Sequence, residues 1–129
     1  MSTVQIGCNN GRENLSTFAL GAHSGLGPDQ SVQFSQRAKT LQATSGHNCQ
    51  FSCSDVYALP NDITQDFDIE LITIGVLSRM PDLTNFFLVP TGLLRPGDRL
   101  LIYETHPVLE MFDPHCATPN IPAFSYFDT

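Results

Sequence analysis

Short apolar runs alternate with segments of helical periodicity along the chain. In residues 32–44 the side chains of Phe34, Ala38 and Leu41 recur at helical spacing, with Ser31 in the N-cap position and Gly46 after the last turn. Residues 67–74 are instead largely apolar, which is typical of a strand covered on both faces. The pattern predicts strands over residues 3–6, 22–27, 49–53, 67–74 and 99–104, and helices over residues 13–20, 31–44 and 82–94.

Prolines divide the second half of the chain. Pro90 should break or kink the helix over residues 82–94, and the sequence of residues 95–98 predicts a turn. The residues after His106 form a tail that is rich in proline and aromatic side chains. Strands that alternate with helices predict an α/β fold, in which a mostly parallel sheet lies between two helical layers.

The segment from Val4 to Glu13 combines a short apolar run, a loop bracketed by Gly7 and Gly11, and the start of a helix. Glycine permits the left-handed backbone and the close ligand approach that such a sharp turn requires. The helix N-terminus adds free N–H groups and the positive end of its dipole. Asp29 follows the loop at a spacing typical of a carboxylate that binds ribose hydroxyls. This arrangement is typical of a nucleoside-binding site.

The composition indicates one globular domain without a membrane span or a nucleic-acid surface. The chain has 129 residues, of which 41% are hydrophobic and 15% charged, and no apolar run approaches the length of a transmembrane helix. The formal net charge is −7 and the basic residues are scattered, so the chain would repel a phosphate backbone. No basic and apolar leader opens the sequence, so we expect a cytoplasmic protein.

The four cysteines suit neither a disulfide nor a metal site. Cys49 and Cys53 belong to one predicted strand, where their Cα atoms would lie about 13 Å apart. That separation is too large for a disulfide or a shared zinc ion. His106, His115 and Cys116 could meet a metal ion, but one loose cluster is weak support. We therefore expect reduced cysteines and no metal site.

Four segments resemble the motifs of class I S-adenosylmethionine-dependent methyltransferases, in the order and spacing of that family. They are residues 5–11, 53–56, 67–72 and 93–100. The resemblance implies a Rossmann-like sheet with strand order 3-2-1-4-5 in a domain of residues 1–113, followed by a tail over residues 114–129. Compared with a complete member of the family, we expect a chain that is truncated at both ends and lacks the later strands.

The resemblance also implies that S-adenosylmethionine binds at the carboxyl ends of the strands. The glycine loop would approach the methionine part through its backbone N–H groups, Asp29 would bind the ribose, and Asp55 with Val56 would bind the adenine. The residues that the resemblance assigns to the cofactor are Gln5, Gly7, Cys8, Asn9, Gly11, Asp29, Gln30, Asp55, Val56, Thr73, Ile74 and Gly75.

Several of these positions have a second interpretation. Gln5 stands where the family usually has an acidic residue, so it keeps an acceptor but lacks the charge. Asp29 follows Pro28 and could be a turn residue, Asp55 could cap a loop, and Gly75 could belong to a turn at a strand end.

The predicted function is that of a transferase that moves a methyl group to a small-molecule acceptor. His106 is the candidate base, assisted by Tyr103 or Glu104, although His106 could instead form only a local hydrogen bond before Pro107. The alternative is a non-catalytic relative that binds the cofactor or a protein partner. A nicotinamide dinucleotide enzyme is disfavoured, because the loop lacks the glycine spacing of that class.

The predicted fifth strand, over residues 99–104, would leave an exposed apolar edge. Such an edge presents unpaired backbone groups to other chains. We therefore expect either a homodimer that forms through this strand or a companion segment that is missing from this chain.

Overall fold

Strands and helices alternate through most of the chain. The computed structural model describes residues 1–60, 63 and 66–127, so the last two residues of the predicted tail lie outside the described residues. The strands are β1 (Ser2–Ile6), β2 (Ser24–Asp29), β3 (Cys49–Cys53), β4 (Phe67–Ile72) and β5 (Leu94–Ile102). The helices are α1 (Arg12–Ser16), α2 (Val32–Ser45), α3 (Leu83–Phe86) and α4 (Leu88–Leu93). Short 3₁₀ turns occur at Thr17–Leu20, Val56–Ala58, Leu77–Arg79 and Pro107–Met111. Among these helices none is long and apolar enough to cross a membrane.

The strands form one parallel sheet in the order β3-β2-β1-β4-β5, as the sequence predicts. Val4 in the central strand pairs in register with Leu26 of β2 on one side and with Glu70 of β4 on the other. The chain runs outward from β1 to β3 and then, on the other side, from β4 to β5. The direction of winding therefore reverses between β1 and β4, which is where open α/β sheets bind ligands.

Helices cover both faces of the sheet and produce the predicted three layers. Side chains alternate between the two faces along a strand. Val4 of β1 accordingly packs on one face with Phe86 of α3 and Leu93 of α4. On the opposite face Phe51 of β3 packs against Ala38 of α2.

The helix α2 follows the prediction closely, whereas α1 is shorter than predicted. The Ser31 hydroxyl accepts a hydrogen bond of 3.3 Å from the N–H of Phe34, and α2 ends just before Gly46. The predicted helix over residues 13–20 is α-helical only to Ser16 and continues as the 3₁₀ turn Thr17–Leu20. The Thr17 hydroxyl there lies 3.2 Å from the hydroxyl of Thr3 in β1, so a polar contact with the sheet accompanies the tighter turn.

Pro28 lies inside β2, which is shifted two residues along from the predicted strand. The pairing of β2 with β1 ends at Leu26, so Pro28 lies beyond the residues that pair with β1, although it is still in register with Ser52 of β3. Its carbonyl instead accepts a hydrogen bond of 3.1 Å from the N–H of Gly7. Pro28 therefore links the end of β2 to the glycine loop.

Pro90 divides the predicted helix over residues 82–94 into α3 and α4, as expected. The α3 helix ends at Phe86 and α4 begins at Leu88. Proline has no N–H to donate to the carbonyl four residues earlier, which here belongs to Phe86. The interruption lies where that hydrogen bond would have formed.

The turn predicted over residues 95–98 lies within β5 as a bulge. Phe67 of β4 pairs with Leu94, but Ile69 already pairs with Arg99, so extra residues of β5 loop out between these pairs. The Arg95 guanidinium bonds to Asp98 at 2.9 Å and to Asp68 of β4 at 2.8 Å. These ion pairs fasten the bulge to the sheet. The strand itself ends at Ile102, and not at residue 104 as predicted.

The apolar core contains a carboxylic acid. Glu70 of β4 lies in register between Val4 and Leu100 and is 0% exposed. Neither carboxylate oxygen has a hydrogen-bond partner in the part of the chain that the structure describes. This burial raises the pKa of Glu70 to about 8. The side chain is therefore mostly uncharged at neutral pH.

Candidate active site

A cleft of about 280 Å³ opens at the carboxyl ends of β1, β2 and β4. Its position is the predicted one, at the reversal of winding between β1 and β4. The residues that line it are Ile6, Gly7, Asn9, Glu13, Pro28, Asp29, Gln30, Ser31, Phe34, Ser54, Val56, Thr73, Ile74, Gly75, Val76, Arg79, Met80 and Tyr103. Of the predicted cofactor residues the cleft thus brings together Gly7, Asn9, Asp29, Gln30, Val56, Thr73, Ile74 and Gly75.

The two glycines of the loop are required by close packing within the protein. Gly7 has φ of +64°, and a Cβ atom there would lie 2.9 Å from a methyl group of Val76. Gly11 has φ of +78°, and a Cβ atom there would lie 2.6 Å from the ring of Phe51. Both values of φ belong to the region that glycine adopts most readily. Gly11 therefore allows α1 to approach the sheet, and it does not line the cleft.

Four backbone N–H groups of the glycine loop, those of Gly7, Cys8, Asn9 and Gly11, are already hydrogen-bonded within the protein. Gly7 and Cys8 donate to the carbonyl of Pro28, Gly11 donates to the carbonyl of Cys8, and Asn9 donates to Asp29. These four N–H groups therefore serve the loop itself, and the approach of loop N–H groups to the methionine part of a cofactor stays a prediction. An N–H group that serves the protein is not free to bind a ligand.

Asp29 connects the end of β2 to the glycine loop. Its Oδ2 atom accepts a hydrogen bond of 2.8 Å from the N–H of Asn9, and its Oδ1 atom accepts one of 2.8 Å from the N–H of Ser31. A carboxylate has about four acceptor positions, so Asp29 keeps the capacity to accept further hydrogen bonds. The turn role and a ligand role are compatible in this residue.

Asp55 and Val56, which were both predicted to bind adenine, occupy different environments. The Oδ1 atom of Asp55 accepts a hydrogen bond of 2.9 Å from the N–H of Tyr57 and caps the 3₁₀ turn. Asp55 is not among the residues that line the cleft, whereas Val56 is. The contact of Asp55 therefore matches its second interpretation, in which it caps a loop.

Gln5 and Cys8 lie beneath the cleft. The Nε2 atom of Gln5 donates a hydrogen bond of 2.9 Å to the Thr73 hydroxyl at the cleft wall, and both Gln5 and Cys8 are fully buried. The Oε1 atom of Gln5 has no partner within residues 1–60, 63 and 66–127. Burial, together with the nearby charge of Asp29, raises the pKa of the Cys8 thiol to about 12. Cys8 is thus a protonated core residue.

Glu104 holds the loop that follows β4. Its Oε1 atom accepts a hydrogen bond of 2.7 Å from the N–H of Gly75, and its Oε2 atom accepts one of 3.2 Å from the N–H of Leu77. Burial acts to raise the pKa of Glu104, but these backbone donors stabilise the anion and the net pKa lies below the usual value. An ionised carboxylate with occupied oxygens is better suited to positioning the loop than to taking up a proton.

Tyr103 and His106, the other two catalytic candidates, differ in their access to the cleft. Tyr103 lines it and is 66% exposed. His106 does not line it, and its Nδ1 atom accepts a hydrogen bond of 3.2 Å from the N–H of Val108 at the start of a 3₁₀ turn. The local interpretation of His106 matches this contact.

Several residues of the cleft are absent from the sequence-based assignment. They are Ile6, Glu13, Pro28, Ser31, Phe34, Ser54, Val76, Arg79, Met80. Ser31 was predicted only as a helix cap, but in a parallel α/β sheet the start of a helix lies at the same end as the cleft. Topology could therefore have indicated Glu13 and Ser31. Arg79 carried no such signal, because the path of the chain after β4 was not predicted.

The described residues contain no group of three His, Cys, Asp or Glu side chains that could hold a metal ion. All four cysteines are free thiols.

Comparisons with solved structures identify the fold. A comparison with protein-family models finds no match, and a comparison with curated proteins finds none either. An S-adenosylmethionine-dependent methyltransferase from Mesorhizobium loti has a TM-score of 0.72 and 23% identity over 86% of this chain and 50% of its own. A protein from Pyrococcus horikoshii has a TM-score of 0.73 and 19% identity over 87% of this chain and 55% of its own.

The chain has the Rossmann-like fold of S-adenosylmethionine-dependent methyltransferases. A cyclase named SpnF is similar to the same degree, with a TM-score of 0.69 and 23% identity over 78% of this chain and 37% of its own. The chain spans about half the length of the M. loti methyltransferase. The similarity to these solved structures agrees with the predicted sheet. A shared fold does not determine the reaction, which depends on the residues of the site.

Proposed function

We propose that this methyltransferase-fold chain binds S-adenosylmethionine in the cleft and transfers its methyl group to a small-molecule acceptor. The observation that carries the proposal is the position of Asp29. Its carboxylate lies at the end of β2, lines the cleft and bonds to the glycine loop. That is the place where nucleotide-binding α/β folds put the acid that binds a ribose.

The remaining residues of the cleft suit the parts of this cofactor. Asp29 has acceptor capacity for the ribose hydroxyls, and Val56 offers an apolar side chain to the adenine. The methionine ammonium group donates hydrogen bonds, so the loop would serve it through carbonyl oxygens. Glu13 and Asp29 give this side of the cleft a negative charge that favours a cationic sulfonium. Gln5 adds a buried amide oxygen without charge.

When bound, the cofactor supplies an electrophilic methyl group on a positively charged sulfur atom. The protein then acts mainly by holding the acceptor in line with that group and by excluding water. Tyr103 and Ile74 line the cleft and can contact an acceptor. A proton released from an O–H or N–H acceptor requires a base, and His106 stays the predicted one.

Calorimetric titration with S-adenosylmethionine and with S-adenosylhomocysteine tests the binding. We expect both to bind, and we expect Asp29→Ala to weaken both. Asp113→Ala is a matched control, because Asp113 accepts a hydrogen bond of 2.9 Å from the N–H two residues later, just as Asp29 does at 2.8 Å, but lies outside the cleft lining. Absence of binding to the unmodified chain would contradict the proposal.

The base is tested by turnover with an identified acceptor. If His106 takes the proton, His106→Ala lowers turnover and leaves the affinity for S-adenosylhomocysteine unchanged. His115→Ala is the control, since His115 lies in the tail and does not line the cleft. Equal turnover of both variants would remove His106 from the mechanism.

The alternative function is a chain that binds the cofactor or a protein partner without catalysis. The occupied carboxylate of Glu104 and the local hydrogen bond of His106 favour this alternative, because both groups serve the backbone. Cofactor binding without methyl transfer to any acceptor would select it. We keep the cytoplasm as the predicted location and the homodimer as the predicted assembly.

A further inference from the structure

The walls of the cleft carry opposite charges. On the β2 side stand the carboxylates of Glu13 and Asp29. On the β4 side stands Arg79, which is the cationic side chain among the lining residues. A cationic cofactor on the acidic side leaves the guanidinium to face the other part of the cleft.

Arg79 is held in place through its backbone, while its guanidinium is available. The N–H of Arg79 donates a hydrogen bond of 3.1 Å to the carbonyl of Val76. The same 3₁₀ turn is bound to Glu104 through the N–H of Leu77. Within the described ranges the Arg79 side chain has neither a hydrogen bond nor an ion pair, whereas Arg95 pairs with three aspartates. The described residues therefore leave the guanidinium of Arg79 without a partner.

Apolar side chains line the same cleft as the Arg79 guanidinium. Ile74 is 57% exposed and Tyr103 is 66% exposed, and both line the cleft beside Met80. Exposed apolar side chains in a concave site are suited to contact an apolar ligand. The β4 side of the cleft therefore offers an apolar surface with one positive group.

We propose that the acceptor is an apolar small molecule with a carboxylate or a similar anionic group, and that Arg79 is the residue that selects it. The guanidinium presents paired N–H donors that match a carboxylate, and such charged hydrogen bonds are among the strong ones. This inference rests on the proposed function, because it assigns the β2 side of the cleft to the cofactor.

Calorimetry on the full chain saturated with S-adenosylhomocysteine tests the inference. The probes are phenylacetate and hexanoate, each compared with its neutral amide. We expect the acids to bind more tightly than the amides. We expect Arg79→Gln to weaken the binding of the acids about 10-fold or more and to leave the binding of the amides unchanged. We expect the affinity of Arg79→Lys for the acids to lie between those of the unmodified chain and Arg79→Gln. Arg37→Gln is the control, because Arg37 is an exposed residue of α2 outside the cleft lining.

The outcomes separate the two proposals. If S-adenosylhomocysteine itself does not bind, the proposed function fails and the inference fails with it. If S-adenosylhomocysteine binds but neither acid binds, or the acids bind no better than their amides, the inference alone is overturned. Acid binding that Arg79→Gln and Arg37→Gln affect equally also overturns it. Circular dichroism of each variant shows that it has folded.

Discussion

The carboxylate of Asp29 and the backbone N–H of Asn9 are joined by a hydrogen bond of 2.8 Å, which ties the end of β2 to the glycine loop. Asn9 adopts a left-handed backbone with φ of 52°. This conformation is uncommon for a residue other than glycine, although asparagine tolerates it better than most. The contact therefore fixes the shape of the loop as well as the orientation of the carboxylate.

Asp29→Asn should remove the charge of this side chain and keep one of its two backbone hydrogen bonds. The amide oxygen retains one acceptor for the backbone, but the negative charge that would favour ribose hydroxyls is lost. We expect a folded protein whose affinity for S-adenosylhomocysteine, measured by calorimetry, is about 10-fold lower. Asp113→Asn serves as the control. Unchanged affinity in Asp29→Asn would show that the carboxylate does not contact the ligand.

Glu104→Gln tests whether this residue positions a loop. The side-chain amide has one acceptor oxygen in place of two. One of the N–H groups of Gly75 and Leu77 therefore loses its acceptor. We expect faster hydrogen exchange at these two amides and a loss of about 1 kcal/mol in the free energy of unfolding. Glu110→Gln, at an exposed position of the 3₁₀ turn Pro107–Met111, should change neither the exchange rates nor the free energy of unfolding. If exchange at Gly75 is unchanged while turnover falls, the predicted catalytic role is the better description.

The strands could be predicted, because apolar runs and turn residues determine them locally, whereas the sheet order was implied by the resemblance to class I methyltransferases. The alternation of side chains along residues 49–53 made β3 predictable to the residue. Ser31 and Gly46 marked the two ends of α2. The bulge in β5 could not be predicted in this way. Residues 95–98 form a turn by local preference, and only the pairing of Leu94 with Phe67 includes that turn in a strand.

The site was predictable at the ends of the strands but not in its hydrogen bonds. Asp29 and Thr73 follow apolar runs, and topology brings such positions together. The roles of Asp55 and Glu104 depend on which backbone N–H group lies nearest, and a linear pattern does not contain that information. The same limit applies to the hydrogen bonds that the N–H groups of Gly7, Cys8, Asn9 and Gly11 form within the protein.

The edge of β5 leads to a prediction about assembly. Leu101 is 57% exposed and Ile102 is 43% exposed on a strand that ends the sheet. We expect the purified chain to elute as a homodimer in light scattering, and we expect Leu101→Lys to shift it to the monomer by adding a charge to the edge. Leu20→Lys, at an apolar position that is 80% exposed in a 3₁₀ turn, should remain dimeric. A monomeric unmodified chain would contradict the prediction.

The buried acid Glu70 makes stability depend on pH in a defined direction. Its pKa is raised by burial from 4.5 to about 8. Below the lower value both the folded and the unfolded chain hold the proton. Between the two values only the folded chain holds it, so unfolding releases a proton. The free energy of unfolding should therefore fall by about 1.4 kcal/mol per pH unit as the pH rises through this window.

Urea denaturation of Glu70→Gln at several pH values between 5 and 8 isolates this contribution. The amide cannot ionise, so its denaturation midpoint should fall less steeply with pH than that of the unmodified chain. Every other titratable group is common to both proteins, so the difference between the two curves belongs to Glu70. Glu110→Gln should reproduce the unmodified curve, because its carboxylate is exposed. Parallel curves for Glu70→Gln and the unmodified chain would mean that Glu70 finds a partner or water in the folded protein.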